Sequence, residues 1–447
     1  MAFRKKCNGK RSIGKCPILI FSWIIITANL CASPLSAQTT PQDTTQNDPA
    51  SQQKYPERRN SSKTWEQIVS FPGMVVFFPL KIVLKGMGGA AGLIGDTQII
   101  KHVQNFFTFD NELKKIRLSY SSRSGAGIKL YQKNLFNEGS RLGFYASAGL
   151  RSRQDYRLAF EGVRIFNNSI RSDFSIRYRM LPDEKFYGIG PETKKDDLSN
   201  YAFEQSNIHI GLRAQLGTKM AIGALLSLEQ NNIHKGKSPS TIPSTTERFS
   251  PDYLPGMETG IKMVGGSIDW SYDSRNSKGG PTRGKEIRFS GSVYNQILED
   301  DYGFWKMAFD ISQHVHLFYG RNVVFRIASE ITEPLDSRAV PFYYMAELGR
   351  RETIRGFNRG RFHDLDMVLG SIEYRCPIQK RREMNAAAFL FVDCGQVTDD
   401  ISKVFDTGQF HFGFGGGIRV WSPEGYASAF IISKSKEQYR LYFVLNQ

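Results

Sequence analysis

Between residue 38 and the C-terminus no run of about 18 uncharged apolar residues occurs, which excludes a bundle of membrane-spanning helices. Cysteine is scarce. Three of the five, Cys7, Cys16 and Cys31, stand in the N-terminal segment, and the remaining Cys376 and Cys394 give neither a disulfide framework nor zinc spacing. The formal net charge is +16, yet no Lys/Arg block and no recognition-helix pattern appears, which argues against a nucleic-acid partner. A Gly-x-Ser-x-Gly nucleophile elbow is also missing, and with it a patatin-type lipase site.

The N-terminus reads as a secretory signal over residues 1–37. Arg4, Lys5, Lys6, Lys10, Arg11 and Lys15 precede an apolar run from Cys16 to Ile26, followed by small residues and an expected cleavage after Ala37. Removing it takes six basic and no acidic residues, lowering the net charge to +10. Residues 38–64, rich in Gln, Thr, Ser, Asn, Asp and Pro, read as a disordered linker. Residues 65–109 are apolar but interrupted by Pro72, Pro79 and a glycine cluster between Gly86 and Gly95. They read as short broken helices, near the periplasmic mouth of a barrel or plugging its lumen.

From residue 110 onward the period becomes two. In Ser169–Met180, Ile170, Phe174, Ile176, Tyr178 and Met180 fall on one face, and Arg171, Asp173, Ser175, Arg177 and Arg179 on the other. The same split recurs in Trp305–Leu317. Such alternation hides an apolar face without a hydrophobic run, as strands facing lipid on one side and water on the other require. Sixteen such runs begin near residues 113, 125, 140, 155, 169, 202, 218, 260, 283, 301, 321, 365, 386, 407, 424 and 437. The expected fold is an all-β transmembrane antiparallel up-and-down β-barrel of about 16 strands, with a short N-terminal helical segment. A water-soluble sandwich fits sixteen successive strands behind an export signal less well.

Some groupings suggest chemistry and have simpler readings. Gly279–Lys285 matches Gly-x-x-x-x-Gly-Lys, but Glu286 stands where a phosphate loop needs Ser or Thr, so it reads as a turn. Asp310, His314 and His316 share a strand face and read as polar lumen lining, not a metal site. Cys376 and Cys394 project outward by parity. Position 384 is expected opposite Cys376, too far from Cys394 for a disulfide.

The last third of the chain carries an ordered motif set. It contains Glu347-Leu348-Gly349-Arg350-Arg351-Glu352-Thr353-Ile354-Arg355-Gly356-Phe357, then Gly360-Arg361-Phe362, Glu373-Tyr374-Arg375, and Phe391-Val392-Asp393-Cys394-Gly395. Phe186-Tyr187-Gly188-Ile189-Gly190, Tyr272-Asp273-Ser274-Arg275 with Pro281-Thr282-Arg283-Gly284, and Gly415-Gly416-Gly417-Ile418-Arg419 accompany it. This set resembles the BamA/TamA superfamily of outer-membrane assembly and secretion barrels, the bacterial surface antigen family. The resemblance implies that Ile354, Arg355, Gly356 and Phe357 lie on a long extracellular loop folded back into the lumen. There the Arg355 cation meets Glu373 and Asp393, while Phe391 and Gly395 belong to the strand motif. A buried guanidinium without carboxylate partners would be costly, so the physical reading agrees.

The resemblance further implies residence in the bacterial outer membrane, contact with its lipids and lipopolysaccharide, protein or lipid substrates, and periplasmic factors. It implies no cofactor, no metal and no catalytic residue. The implied function is insertion or translocation of proteins or lipids; a passive channel or structural surface protein, and thirdly a barrel enzyme, are the alternatives. Two departures stand out: residues 38–109 leave no room for a periplasmic POTRA module beside the linker, and the last strand, ending Val444-Leu445-Asn446-Gln447, lacks a terminal aromatic.

Overall fold

A computed structural model describes residues 108–109, 113–121, 125–166, 169–237, 241–277, 279–380, 385–405, 408–421 and 427–446. The expected signal, linker and interrupted helices fall, up to residue 107, outside the described residues. Thr108–Phe109 forms a two-residue strand, β1, paired with Lys114–Lys115.

Strands then follow one another as β2 (Lys114–Ser121), β3 (Gly125–Lys133), β4 (Arg141–Gly149), β5 (Arg153–Ile165), β6 (Ile170–Phe186) and β7 (Ser199–Leu216). After them come β8 (Met220–Lys235), β9 (Ile261–Asp273), β10 (Gly284–Gln296), β11 (Gly303–His316) and β12 (Asn322–Pro334). The short strands β13 (Ala346–Leu348) and β14 (Phe362–Asp364) form a hairpin of their own. The wall resumes with β15 (Asp366–Lys380), β16 (Asn385–Thr398), β17 (His411–Trp421), β18 (Ala427–Ser435) and β19 (Tyr439–Asn446).

Apart from the hairpin, each strand pairs antiparallel with its neighbour in sequence from β2 to β19. These sixteen wall strands match the alternating runs of the sequence, and an even number puts the start of β2 and the end of β19 at the same end of the barrel. Among the described residues no register pair joins β2 to β19.

Parity decides which side chains meet lipid. Ile208, Ile210 and Leu212 on β7, Phe325 and Ile327 on β12, and Phe412 and Phe414 on β17 are exposed apolar residues facing outward. Inward positions of the same strands are polar or small: Asn207 is buried, and Gly413, Gly415 and Gly417 line β17. Cys376 and Cys394 are free thiols. Opposite Cys376 stands Ala388, not residue 384, because Lys380 pairs with Asn385 and the register shifts at a bulge between Pro377 and Gln379; Cys394 lies opposite Gly370. The Gly279–Lys285 segment belongs to the β9–β10 connection and the start of β10. Gly284, at φ +99°, sits where a Cβ would strike the Ser274 carbonyl.

Candidate functional site: the loop between β12 and β15

The connection from β12 to β15, residues 335–365, is a long one at the end of the barrel opposite the start of β2 and the end of β19. Its side chains are buried although most loops are exposed. Ile354, Phe357 and Phe362 are at most 1% exposed, and they pack with Leu348, Leu369 and Val397 into one apolar cluster against the β15–β16 wall.

The Arg355 guanidinium is held on three sides. Nε donates to Asp393 Oδ2 at 2.8 Å and Nη2 to Asp393 Oδ1 at 2.7 Å, a two-bond fork. Nη1 donates to Glu373 Oε2 at 3.0 Å, and the backbone N–H of Arg355 adds a bond to Asp393 Oδ2 at 3.0 Å. The Arg355 cation also lies 3.4 Å from the centre of the Phe391 ring. Asp393 is fully buried, so its charge is tolerable only with this complete set of donors, to which the Ser371 hydroxyl contributes at 2.7 Å.

Register explains why the sequence can do this. Ser371, Asp393, Gly413 and Ser435 are successive partners across β15, β16, β17 and β18, forming one row on the inner wall. Arg355 and Gly356 lie along that row. At Gly413 a Cβ would collide with the Arg355 carbonyl oxygen. Gly356 has φ +100°, and a Cβ there would come within 2.9 Å of the Lys434 carbonyl carbon. Ser435 Oγ donates to the Gly356 carbonyl at 2.9 Å, and the Gly356 N–H donates to Tyr442 Oη at 3.1 Å. Gly395 makes the same allowance one strand over, leaving room for Ile354 and Leu348.

The structure thus brings Ile354, Arg355, Gly356, Phe357, Glu373, Phe391, Asp393 and Gly395 into one site. It also adds residues to which the sequence reading gave no role. Glu373 is shared: Arg375 Nε donates to its Oε1 at 2.7 Å, and Arg419 Nη2 lies 3.7 Å from the same oxygen. Strand parity, which puts Ser371, Glu373 and Arg375 on one face, was the available signal for Ser371 and Arg375. Arg361, only 2% exposed, pairs with Glu437 in the β18–β19 turn at 2.8 Å and donates to Thr193 Oγ1 and O at 2.8 and 2.6 Å. The Asn358 amide donates to Tyr187 Oη at 2.7 Å, and Gly190 N–H to the His363 carbonyl at 2.8 Å, so the Phe186–Gly190 motif packs on this loop.

On the opposite wall Phe342 inserts among Phe186, Tyr201, Phe203 and Leu254. Beside it Tyr344 Oη donates to Glu229 Oε2 at 2.8 Å, and burial holds the Tyr344 phenol well above its ordinary pKa, so it remains a donor. Asp310 accepts two bonds from Arg326, at 3.0 and 2.8 Å, while His314 is buried on the same strand face. Among the described residues no group of three His, Cys, Asp or Glu side chains is placed to hold a metal ion.

A barrel wall of sixteen antiparallel strands, with a loop from its far end fastened inside by a buried arginine, defines a class of outer-membrane protein. The Omp85 superfamily domain matches residues 134–447, and the chain belongs to that superfamily. No curated protein is similar enough in sequence to match it. Its fold is similar to that of BamA from Haemophilus ducreyi lacking POTRA domains 1-3, with 16% identity, a TM-score of 0.53, and coverage of 75% of this chain and 69% of that one. CdiB from Acinetobacter baumannii is 12% identical with a TM-score of 0.47, covering 74% of this chain and 58% of that one.

Proposed function

We infer that this barrel helps proteins or lipids insert into, or cross, the bacterial outer membrane. The observation that carries the reading is the attachment of the inner loop to the last two strands. Gly356 is bonded to Ser435 and Tyr442, Arg361 to Glu437, and Asn358 to Gln438 and Arg440. A loop that only narrowed a channel would have no need of the terminal hairpin. On β19 the outward Tyr439, Leu441 and Phe443 are 67 to 71% exposed, above the roughly half-exposed values of Phe430 and Ile432 on β18. Where the first and last wall strands meet, parting of the two would offer backbone N–H and C=O groups to an arriving chain. The seam between β2 and β19 is therefore where a substrate would enter, with the loop setting how freely the hairpin moves.

The test is reconstitution of the mature chain into liposomes, followed by the rate at which an unfolded outer-membrane barrel inserts and the rate of lipid exchange between leaflets. Acceleration of either over protein-free liposomes supports the reading. Rates equal to protein-free liposomes in both, together with a stable ion conductance, would replace it with the passive-channel alternative.

A further inference from the structure

On the terminus-proximal side of Arg355 the inner wall carries a surplus of guanidinium. Glu373 alone is shared by Arg355, Arg375 and Arg419, while Asp393 is taken up by Arg355 and Ser371. Three cations thus stand over two carboxylates. Arg375 donates through Nε only to Glu373. Arg419 makes no hydrogen bond among the described residues; its contacts are Glu373 Oε1 at 3.7 Å and the Phe389 ring at 5.4 Å. Its side chain is 28% exposed and that of Arg375 15%, so both cations are largely withdrawn from bulk water.

Trp421, two residues beyond Arg419, lies against Gly280 of the β9–β10 connection, and Asn322 Nδ2 donates to the Pro281 carbonyl at 3.4 Å. His314 stands at the height of Glu373, with Val324 between them in register. It is 5% exposed, and its Nδ1 has no partner among the described residues. Arg419 has five guanidinium N–H donors and Arg375 has four beyond its Nε, and among the described residues no hydrogen bond to a protein group takes any of them.

We propose that Arg375 and Arg419 form a binding site for a phosphate group inside the barrel. Phosphate fits better than a second carboxylate. It carries the charge that the surplus cation lacks, and its tetrahedral oxygens can accept from two guanidinium forks at once, where Glu373 already supplies the one planar acceptor. The phosphate source is either free anion or a phospholipid headgroup admitted to the lumen.

The experiment is isothermal titration of the refolded mature chain, in uncharged detergent, with sodium phosphate and separately with short-chain phosphatidic acid, against sodium chloride. Saturable phosphate binding is expected, weakened by about tenfold or more in Arg419→Gln and in Arg375→Gln, the size of a lost charge-assisted hydrogen bond. Tighter binding of phosphatidic acid, lost in the same variants, identifies the headgroup as the source; equal affinity identifies the free anion. Folding of each variant is checked by heat-dependent gel mobility. If Arg419→Gln does not fold, Arg419→Lys is read instead: weaker binding supports the site and unchanged binding overturns it. No saturation by either probe, or binding indifferent to both arginines, overturns it as well. Insertion or exchange activity does not enter this readout, so the site and the proposed function fail separately.

Discussion

Arg361 and Glu437, on the inner loop and in the turn before the last strand, form an ion pair whose side chains are 2% and 8% exposed. The pair joins the loop to the terminal hairpin at a point where water does not compete. Removing one partner of such a pair typically costs ~3 to 5 kcal/mol, because the other charge stays buried. Arg361→Ala and Glu437→Ala should each raise protease cleavage near residues 436–438 and lower the temperature at which the heat-modified gel band appears. The double variant should lose less than the sum of the two. Additive losses would show that the two charges act independently.

Arg355→Ala should destabilise the barrel by a similar ~3 to 5 kcal/mol and expose residues 349–361 to added protease. Arg355→Lys should rescue part of the loss only, since an ammonium cannot make the two parallel bonds to Asp393. In a cycle with Asp393→Ala the effects should be non-additive. Unchanged protease sensitivity in Arg355→Ala would show that the guanidinium does not hold the loop.

Gly413→Ala tests the row on which the loop lies without touching a charge. Its added methyl would meet the Arg355 carbonyl oxygen, so either the loop or β17 must move. Overpacking of this kind costs ~1 to 3 kcal/mol. Thermal unfolding should drop accordingly, while Gly408→Ala, which meets nothing nearby but carries a left-handed φ of +63°, should show only the smaller cost of backbone strain.

Steady conductance in planar bilayers should be small for the intact chain, because the 335–365 connection packs against β15 and β16 through Ile354 and Phe362 and against β6 to β8 through Phe342. Deleting Gly349 to Phe362 should raise it. A large stable conductance before the deletion would favour the passive channel.

Asp364, in the β13–β14 hairpin, is 4% exposed, and burial pushes its pKa up to about 6; Leu365 N–H donates to it at 2.8 Å. A carboxyl raised in the folded state stabilises it while protonated. That contribution is complete below the unfolded value near 3.8 and is lost as pH rises through about 6. The hairpin should therefore resist protease better at pH 5 than at pH 7.5, with Asp364→Asn lessening the difference. Equal resistance at the two pH values in the unsubstituted chain would remove Asp364 as the cause.

The alternating pattern alone determined the wall. Outward Ile210, Phe325 and Val392 and inward Arg177, Arg326 and Asp393 follow from a period of two, because a pleated strand has only two faces and lipid accepts only one kind of side chain. The grouping of Arg355, Glu373 and Asp393 came from the family resemblance of the motifs, with which the need of a buried cation for carboxylates and the parity of Glu373 and Asp393 agree. The attachment of Arg361 to Glu437, of Gly356 to Tyr442 and of Arg419 to the oxygen already held by Arg375 was decided by the tertiary structure. These contacts join segments up to 86 residues apart. They depend on how far the loop descends and on which register row it follows, and a short-range periodicity contains neither quantity. Gly413 shows the difference: in the sequence it is one glycine among several in β17, and only the descending loop makes its missing side chain the space that Arg355 occupies.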